Sequence, residues 1–198
     1  MTYANAVEFR AAIVSAFEAR VAFEMNKNSP DSMFNKLREM SKSIDHDAIA
    51  EIMFAAGCDA NRIMFQRSAN ACYNIYAYEK DVNIARALAK VEGLNHYTFH
   101  ILRTMKALHD AELSMTHNDA FTACKASAKP DDKAKAKFIS KYVRIDVAEG
   151  TANTQSSSSI NALISYKVLI PCKDANNEKA YKLNIEGAET QALLALVA

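Results

Sequence analysis

The stretch Thr151-Ala152-Asn153-Thr154-Gln155-Ser156-Ser157-Ser158-Ser159-Ile160-Asn161-Ala162-Leu163-Ile164-Ser165-Tyr166-Lys167-Val168-Leu169-Ile170 admits two readings. Its serines alone make a flexible tether between apolar segments. Yet Ile160, Leu163 and Ile164 continue at helical spacing. That puts the serines at the N-terminal end of an amphipathic helix, where hydroxyls satisfy the orphan amides of a first turn. The residues from 168 onward favour the helix. Val168 to Cys172 is a β-prone run, Lys173 to Glu178 is a polar turn, and Lys179 to Asn184 alternates as a second strand. Together they predict a hairpin. A terminal helix from about Gly187 to Val197 then offers Leu193, Leu194 and Val197 for packing.

The succession of helix, polar-headed helix, two-stranded hairpin and closing helix resembles a winged helix-turn-helix DNA-binding domain. The residues that carry the likeness are those of 151–170, where small hydroxylated side chains precede a leucine and then a pair of aliphatics entering the wing. Lys167 stands where such helices commonly end in glycine. The resemblance implies duplex DNA as partner and a role as a regulator or as a replication or transcription accessory factor. Asn74-Ile75-Tyr76-Ala77-Tyr78-Glu79-Lys80 is also faintly similar to small uncharacterised bacteriophage proteins, a likeness that transfers no function.

Upstream, helices are expected almost everywhere. Phe9, Ile13, Val14, Phe17, Val21 and Met25 recur at spacings of three and four, one face of a helix over about 5–25. Pro30-Asp31 starts a second helix, with Met33, Phe34, Leu37 and Met40 inward. A third runs from about Asp45 to Ala56 and stops at Gly57, a left-handed cap. Ile63, Met64 and Phe65 begin a fourth that runs on through Tyr73 and Tyr76, and Asp81 to Glu92 forms another, closed by Gly93. Asn95 restarts the chain with Thr98, Ile101, Leu102, Met105 and Leu108 inward, fraying at Ser114 to Asn118. Lys133 to Val147 reads as a helix with Phe138, Ile139, Tyr142, Val143 and Ile145 among lysines.

The small, polar, proline-broken stretch 126–132 divides the chain. The expectation is a mainly α protein: a helical oligomerisation domain over 1–125, a linker, and a winged-helix-like module with a β-hairpin over 133–198.

On that module Thr154, Gln155, Ser157, Ser158 and Asn161 present amides and hydroxyls suited to phosphates and base edges. Gln155 and Asn161 have the chemistry to read adenine. Lys133, Lys135, Lys137, Lys141 and Arg144, with Lys125 and Lys129, face only Asp131, Asp132 and Asp146 between residues 125 and 146, a local net charge of +4 in a chain of net +1. Charge is therefore segregated. A solvated face of alternating lysines has the same look. Dimerisation through the N-terminal helices would supply paired half-sites.

Two other readings are open. Tyr73, Tyr76 and Tyr78 with Arg62, Arg67 and Lys80 would make a stacking platform for single-stranded nucleic acid. Alternatively the winged fold contacts protein, as in a non-enzymatic interaction or virion scaffold. Helix, Gly57 turn and helix over 49–63 also hint at a second helix-turn-helix.

Composition narrows the rest. In 198 residues there are four glycines and three prolines, too few for repeat β folds or Gly-rich phosphate loops. Four cysteines, Cys58, Cys72, Cys124 and Cys172, form no C-x-x-C pair, which argues against structural zinc and for reduced thiols. No charged n-region and apolar h-region open the chain, and no apolar run reaches membrane-spanning length, so a cytoplasmic location is expected. His96 and His100 lie four apart, without the Glu that a zinc hydrolase needs. No nucleophile elbow or Walker loop occurs. The sequence implies no catalytic residue, metal or cofactor.

Overall fold

The computed structural model describes residues 3–44, 47–64, 66–68, 71–72 and 75–198. Helix α1 spans Ala6–Asn26, capped by Asn5, whose side chain accepts from the Glu8 amide. Helices α2 (Asp31–Ile44) and α3 (Asp47–Ala55) follow, and Gly57 terminates α3 at φ +73°, the left-handed cap that its sequence predicts. Phe9, Ile13 and Phe17 are buried, but Val14 and Met25 of the same expected row lie outside. The α1 surface is apolar on more than one side, so one face enters the core and another stays uncovered.

The next segment differs from expectation. Instead of a helix through Tyr73 there is a 3₁₀ turn, Arg62–Met64, and a short hairpin of β1 (Gln66–Ser68) with β2 (Ala71–Cys72). The second helix-turn-helix over 49–63 is therefore absent. Phe65 and Tyr73 lie outside the described residues. Helix α4 (Ile75–Leu88) begins earlier than its sequence suggests. Lys90, at φ +59°, and not Gly93, takes the left-handed position beyond its end. Helix α5 (His96–Asp110) buries all five residues expected to face inward.

Strand β3 (Met115–Thr116) leads straight into α6 (His117–Cys124), which sequence periodicity does not announce. Thr116 and Asp119 close a reciprocal capping box there. The helix expected over 133–147 does not form. Residues 125–148 are an extended strap holding only a 3₁₀ turn, Ala136–Phe138. The serine-rich tract is helical: α7 spans Glu149–Ser165 and passes through Lys167, at φ +56°, into β4 (Leu169–Lys173). Lysine thus occupies the left-handed site where glycine is usual. Strand β5 (Lys179–Leu183) returns antiparallel, and α8 (Ala188–Ala195) closes the chain.

The protein is mostly helical with a small antiparallel sheet of order β3-β5-β4. Because β3 lies before residues 126–132 and β5 after them, the sheet spans the expected domain boundary. Helix α7 packs against α4, α5 and α6. One hydrophobic cluster runs from Phe9 to Val197. The division into 1–125 and 133–198 is accordingly replaced by one shared core, since α7 fills the space between helices that precede the strap.

Small side chains explain how α7 sits in the middle. Ala152, Ser156, Ser159 and Ala162 are essentially inaccessible, and Ser159 Oγ lies 3.0 Å from Thr98 Oγ1 on α5. At the other end the Tyr166 hydroxyl donates to the Asp81 carbonyl on α4 at 2.8 Å. Small residues let helix axes approach while hydroxyls find partners across the contact.

Candidate nucleic-acid interface

Helix α7 has an inward and an outward side. Ser158, expected at the contact face, is buried at 4% exposure, and its neighbours Ser156 and Ser159 are fully enclosed. Thr154, Ser157 and Asn161, spaced three and four apart, are half-buried and share the remaining side. Gln155 is also half-buried, but its Oε1 is shut away without a hydrogen-bond partner among the described residues. Ser157 Oγ meets His117 Nε2 at 2.9 Å, so its hydroxyl is already engaged. Burial, then the nearby Lys179 ammonium, holds the His117 imidazole below its usual pKa. The first turn, Glu149, Gly150 and Thr151, is open.

The strap divides the cations by role. Lys135 is buried and spans Asp119 Oδ2 at 3.2 Å and the Ser114 carbonyl at 2.9 Å. Lys141 donates to the Ala126 and Ala128 carbonyls, and Lys125 reaches the Val147 carbonyl at 2.8 Å beside Asp146. These three fasten the strap. Further anchors are the Ser140 amide, which donates to Thr104 Oγ1 at 2.9 Å, and the Tyr142 ring, stacked on His96 with centroids 5.1 Å apart. Lys129, Lys133, Lys137 and Arg144 remain exposed. Lys135 and Lys141 therefore drop out as phosphate ligands, because their ammonium groups are spent on carbonyls and a buried carboxylate.

Charge reversal at Lys135 should loosen the strap. Lys135→Glu sets a carboxylate against Asp119, which is only 3% exposed, and such like-charge burial costs about 3 kcal/mol or more. The expected result is faster proteolytic cleavage within 125–148 than in wild type, read by mass spectrometry of a time course. Cleavage at the wild-type rate would show that this lysine does not hold the strap.

The loop between β4 and β5 carries Asp174 and Glu178, which share a surface recess with Asp131 and Asp132. Lys173 and Lys179 flank these two acids, so the turn brings no net positive charge to phosphate. No group of three or more His, Cys, Asp or Glu among the described residues is placed to hold a metal ion.

Comparison with protein-family models, curated proteins and solved structures returns no match. The site is therefore read from its own geometry.

Among the described residues the tyrosine platform is incomplete. Tyr78 is fully buried, Lys80 is 3% exposed, and Arg62 lies 2.6 Å from Asp81. Tyr76 is exposed, with the Lys36 ammonium 3.9 Å above its ring. Tyr73 and the Arg67 side chain lie outside the described residues. Cys58 and Cys124 are free and buried, their thiols pushed up to about 12 by burial, and Cys172 is free and half-buried. At neutral pH the two buried groups are thiols and not nucleophilic thiolates. The Cys72 side chain lies outside the described residues. No helix among the described residues is long and apolar enough to cross a membrane.

The Thr116-x-x-Asp119 spacing was the available signal for α6 and for Asp119, the acid that holds the strap. The division of labour among the lysines had no local signal.

Proposed function

We propose that this protein binds duplex DNA through the uncovered side of α7 and the exposed cations of the strap. The observation that supports the reading best is the succession in which α5, α6 and α7 pack together and α7 leads directly into the β4–β5 hairpin. The helix expected over 133–147 is missing from this order, and α5 and α6, ahead of the strap, stand in its place before the polar helix and the hairpin. Thr154 and Asn161 contact base edges or phosphates, and Lys129, Lys133, Lys137 and Arg144 supply positive charge, whereas the first turn of α7 carries the exposed Glu149 and takes no phosphate. The wing has no part in this reading, because Asp174 and Glu178 offset Lys173 and Lys179 and leave its turn without net positive charge. A dimer fits the same reading: Val7, Val14 and Val21 repeat every seven residues along α1, with Met25 exposed on the same helix.

Charge reversal separates positioning from reading. Lys137→Glu with Arg144→Glu should weaken binding to any duplex by about tenfold or more and lower the salt slope by about 2. Thr154→Ala with Asn161→Ala should cost about 1–3 kcal/mol on a preferred sequence and little on a random one. Fluorescence anisotropy with the two double variants checks both, and unchanged affinity and slope in each would reject this face.

A further inference from the structure

Helix α1 carries more apolar surface than the core uses. Val7, Ala11, Val14, Glu18, Val21 and Met25 alternate spacings of four and three along its outer side, the stripe of a helix that packs on another helix. Val7 is 77% exposed and Met25 63%. Glu18 is the one charged member of the stripe.

Beside it, α1 and α2 enclose an open groove of about 540 Å³. Buried Phe17 and Leu37 line it with half-buried Val21 and Phe34, and Arg38 and Lys42 stand exposed on its α2 side. A second recess, of about 470 Å³, shares Met25, Phe34 and Arg38 with the groove and so prolongs it. The short connection over residues 27–30 makes α2 run back along α1, which brings Lys42, near the end of α2, level with Val14.

Pattern and charge select the occupant. Set antiparallel against a second copy of itself, the stripe is self-complementary: Val7 meets Met25, Ala11 meets Val21, and Val14 meets Glu18, because the three pairs share one midpoint. A parallel pair would instead set Glu18 against Glu18, two like charges inside an apolar strip. In the antiparallel pair the second copy's Glu18 comes level with Val14, and therefore beside Lys42, with Arg38 one turn away on the same helix. An apolar strip with one acid thus meets a groove whose far side carries cations. From Val7 to Met25 the strip runs about 27 Å, and two helices about 10 Å wide over that length present about 500 Å² per copy. The total of about 1,000 Å² is the size at which specific association begins.

We propose that the α1–α2 groove is a homodimer interface, in which α1 of a second copy lies antiparallel to α1 with its Glu18 seated against Lys42 and Arg38. Two-fold symmetry makes the same contacts form twice. The interface gives the dimer a surface and a register. It uses neither α7 nor the strap, so it stands or falls apart from duplex binding.

Sedimentation equilibrium of the full chain without DNA, over a concentration series, tests it through charge reversal at exposed positions. Wild type should show a reversible monomer–dimer equilibrium. Glu18→Lys, and the double variant Arg38→Glu with Lys42→Glu, should each associate about tenfold or more weakly, since each sets like charges together at both symmetric contacts. An equimolar mixture of the two should recover wild-type association, because every acid then faces a cation across the interface. A wild-type monomer at all concentrations overturns the proposal and leaves the groove to a different protein. Glu18→Lys associating as tightly as wild type, or a mixture no tighter than its components, overturns it as well.

Discussion

Ser159→Leu should destabilise the protein by about 3 kcal/mol or more, lowering the midpoint of thermal unfolding by about 10 °C. Ser159 is fully enclosed where α7 meets α5. Setting an isopropyl group in place of the hydroxyl at such a contact forces helices apart or side chains off rotamer, which costs about 1–3 kcal/mol. The substitution also removes the hydroxyl that pairs with Thr98, whose own side chain is buried, and an orphaned buried hydroxyl costs about 1–3 kcal/mol more. Ser159→Ala separates the two effects: it keeps the small volume and loses only the hydrogen bond, so a loss of about 1 kcal/mol is expected. Urea melts of both variants provide the check. A leucine tolerated as well as the alanine would mean that α7 is not the tightly packed centre of the helices.

The second large effect concerns Arg62 and Asp81. Asp81 is fully buried on α4, and burial raises its pKa to about 7 against the opposing pull of the Arg62 guanidinium 2.6 Å away. Arg62→Met leaves that carboxyl without its counter-charge, and breaking a buried pair from one side costs about 3–5 kcal/mol. The loss depends on pH. A carboxyl whose folded pKa is raised from 3.8 to about 7 binds its proton more tightly when folded. Its protonation therefore supports the fold fully below the unfolded pKa and ceases to do so as pH rises through about 7. Wild-type stability should accordingly fall between about pH 4 and pH 7, Asp81→Asn should flatten that fall, and the Arg62→Met penalty should be larger at about pH 8 than at about pH 5.5. Denaturant melts at the two pH values read all three. An Arg62→Met penalty independent of pH would contradict the assignment.

Much of the architecture is legible in local pattern. The first helix, the Gly57 stop, the inward row of α5 and the β4–β5 hairpin each follow from short-range rules of capping, period and turn chemistry. The failures share one cause. Phe138, Ile139, Tyr142, Val143 and Ile145 mimic a helical stripe, but the strap is held by contacts with distant residues: Ser140 with Thr104, the Tyr142 amide with the Ala123 carbonyl, Lys135 with Asp119. Linear spacing carries no record of those partners. Helix α6 was hidden for the opposite reason, since His117-Asn118-Asp119 is polar and only its capping box marks the start.

The serines show how one residue type serves two physical ends. Small hydroxylated side chains suit a first helical turn, and they equally suit a helix wedged among others with its buried hydroxyls paired. Periodicity identifies the helix but does not say which side of it faces solvent. Packing decides that: Ser156, Ser158 and Ser159 go inward, leaving Thr154, Ser157 and Asn161 as the outer row.

Duplex recognition is tested most directly by equilibrium binding of the full chain to labelled duplex DNA, single-stranded DNA and RNA of equal length across a salt series. Tighter binding to duplex, with log affinity falling linearly as log salt rises at a slope of about −3 to −4, is the expected result for three to four exposed cations on the phosphate backbone. No detectable duplex binding at low salt, or an affinity indifferent to salt, would contradict it.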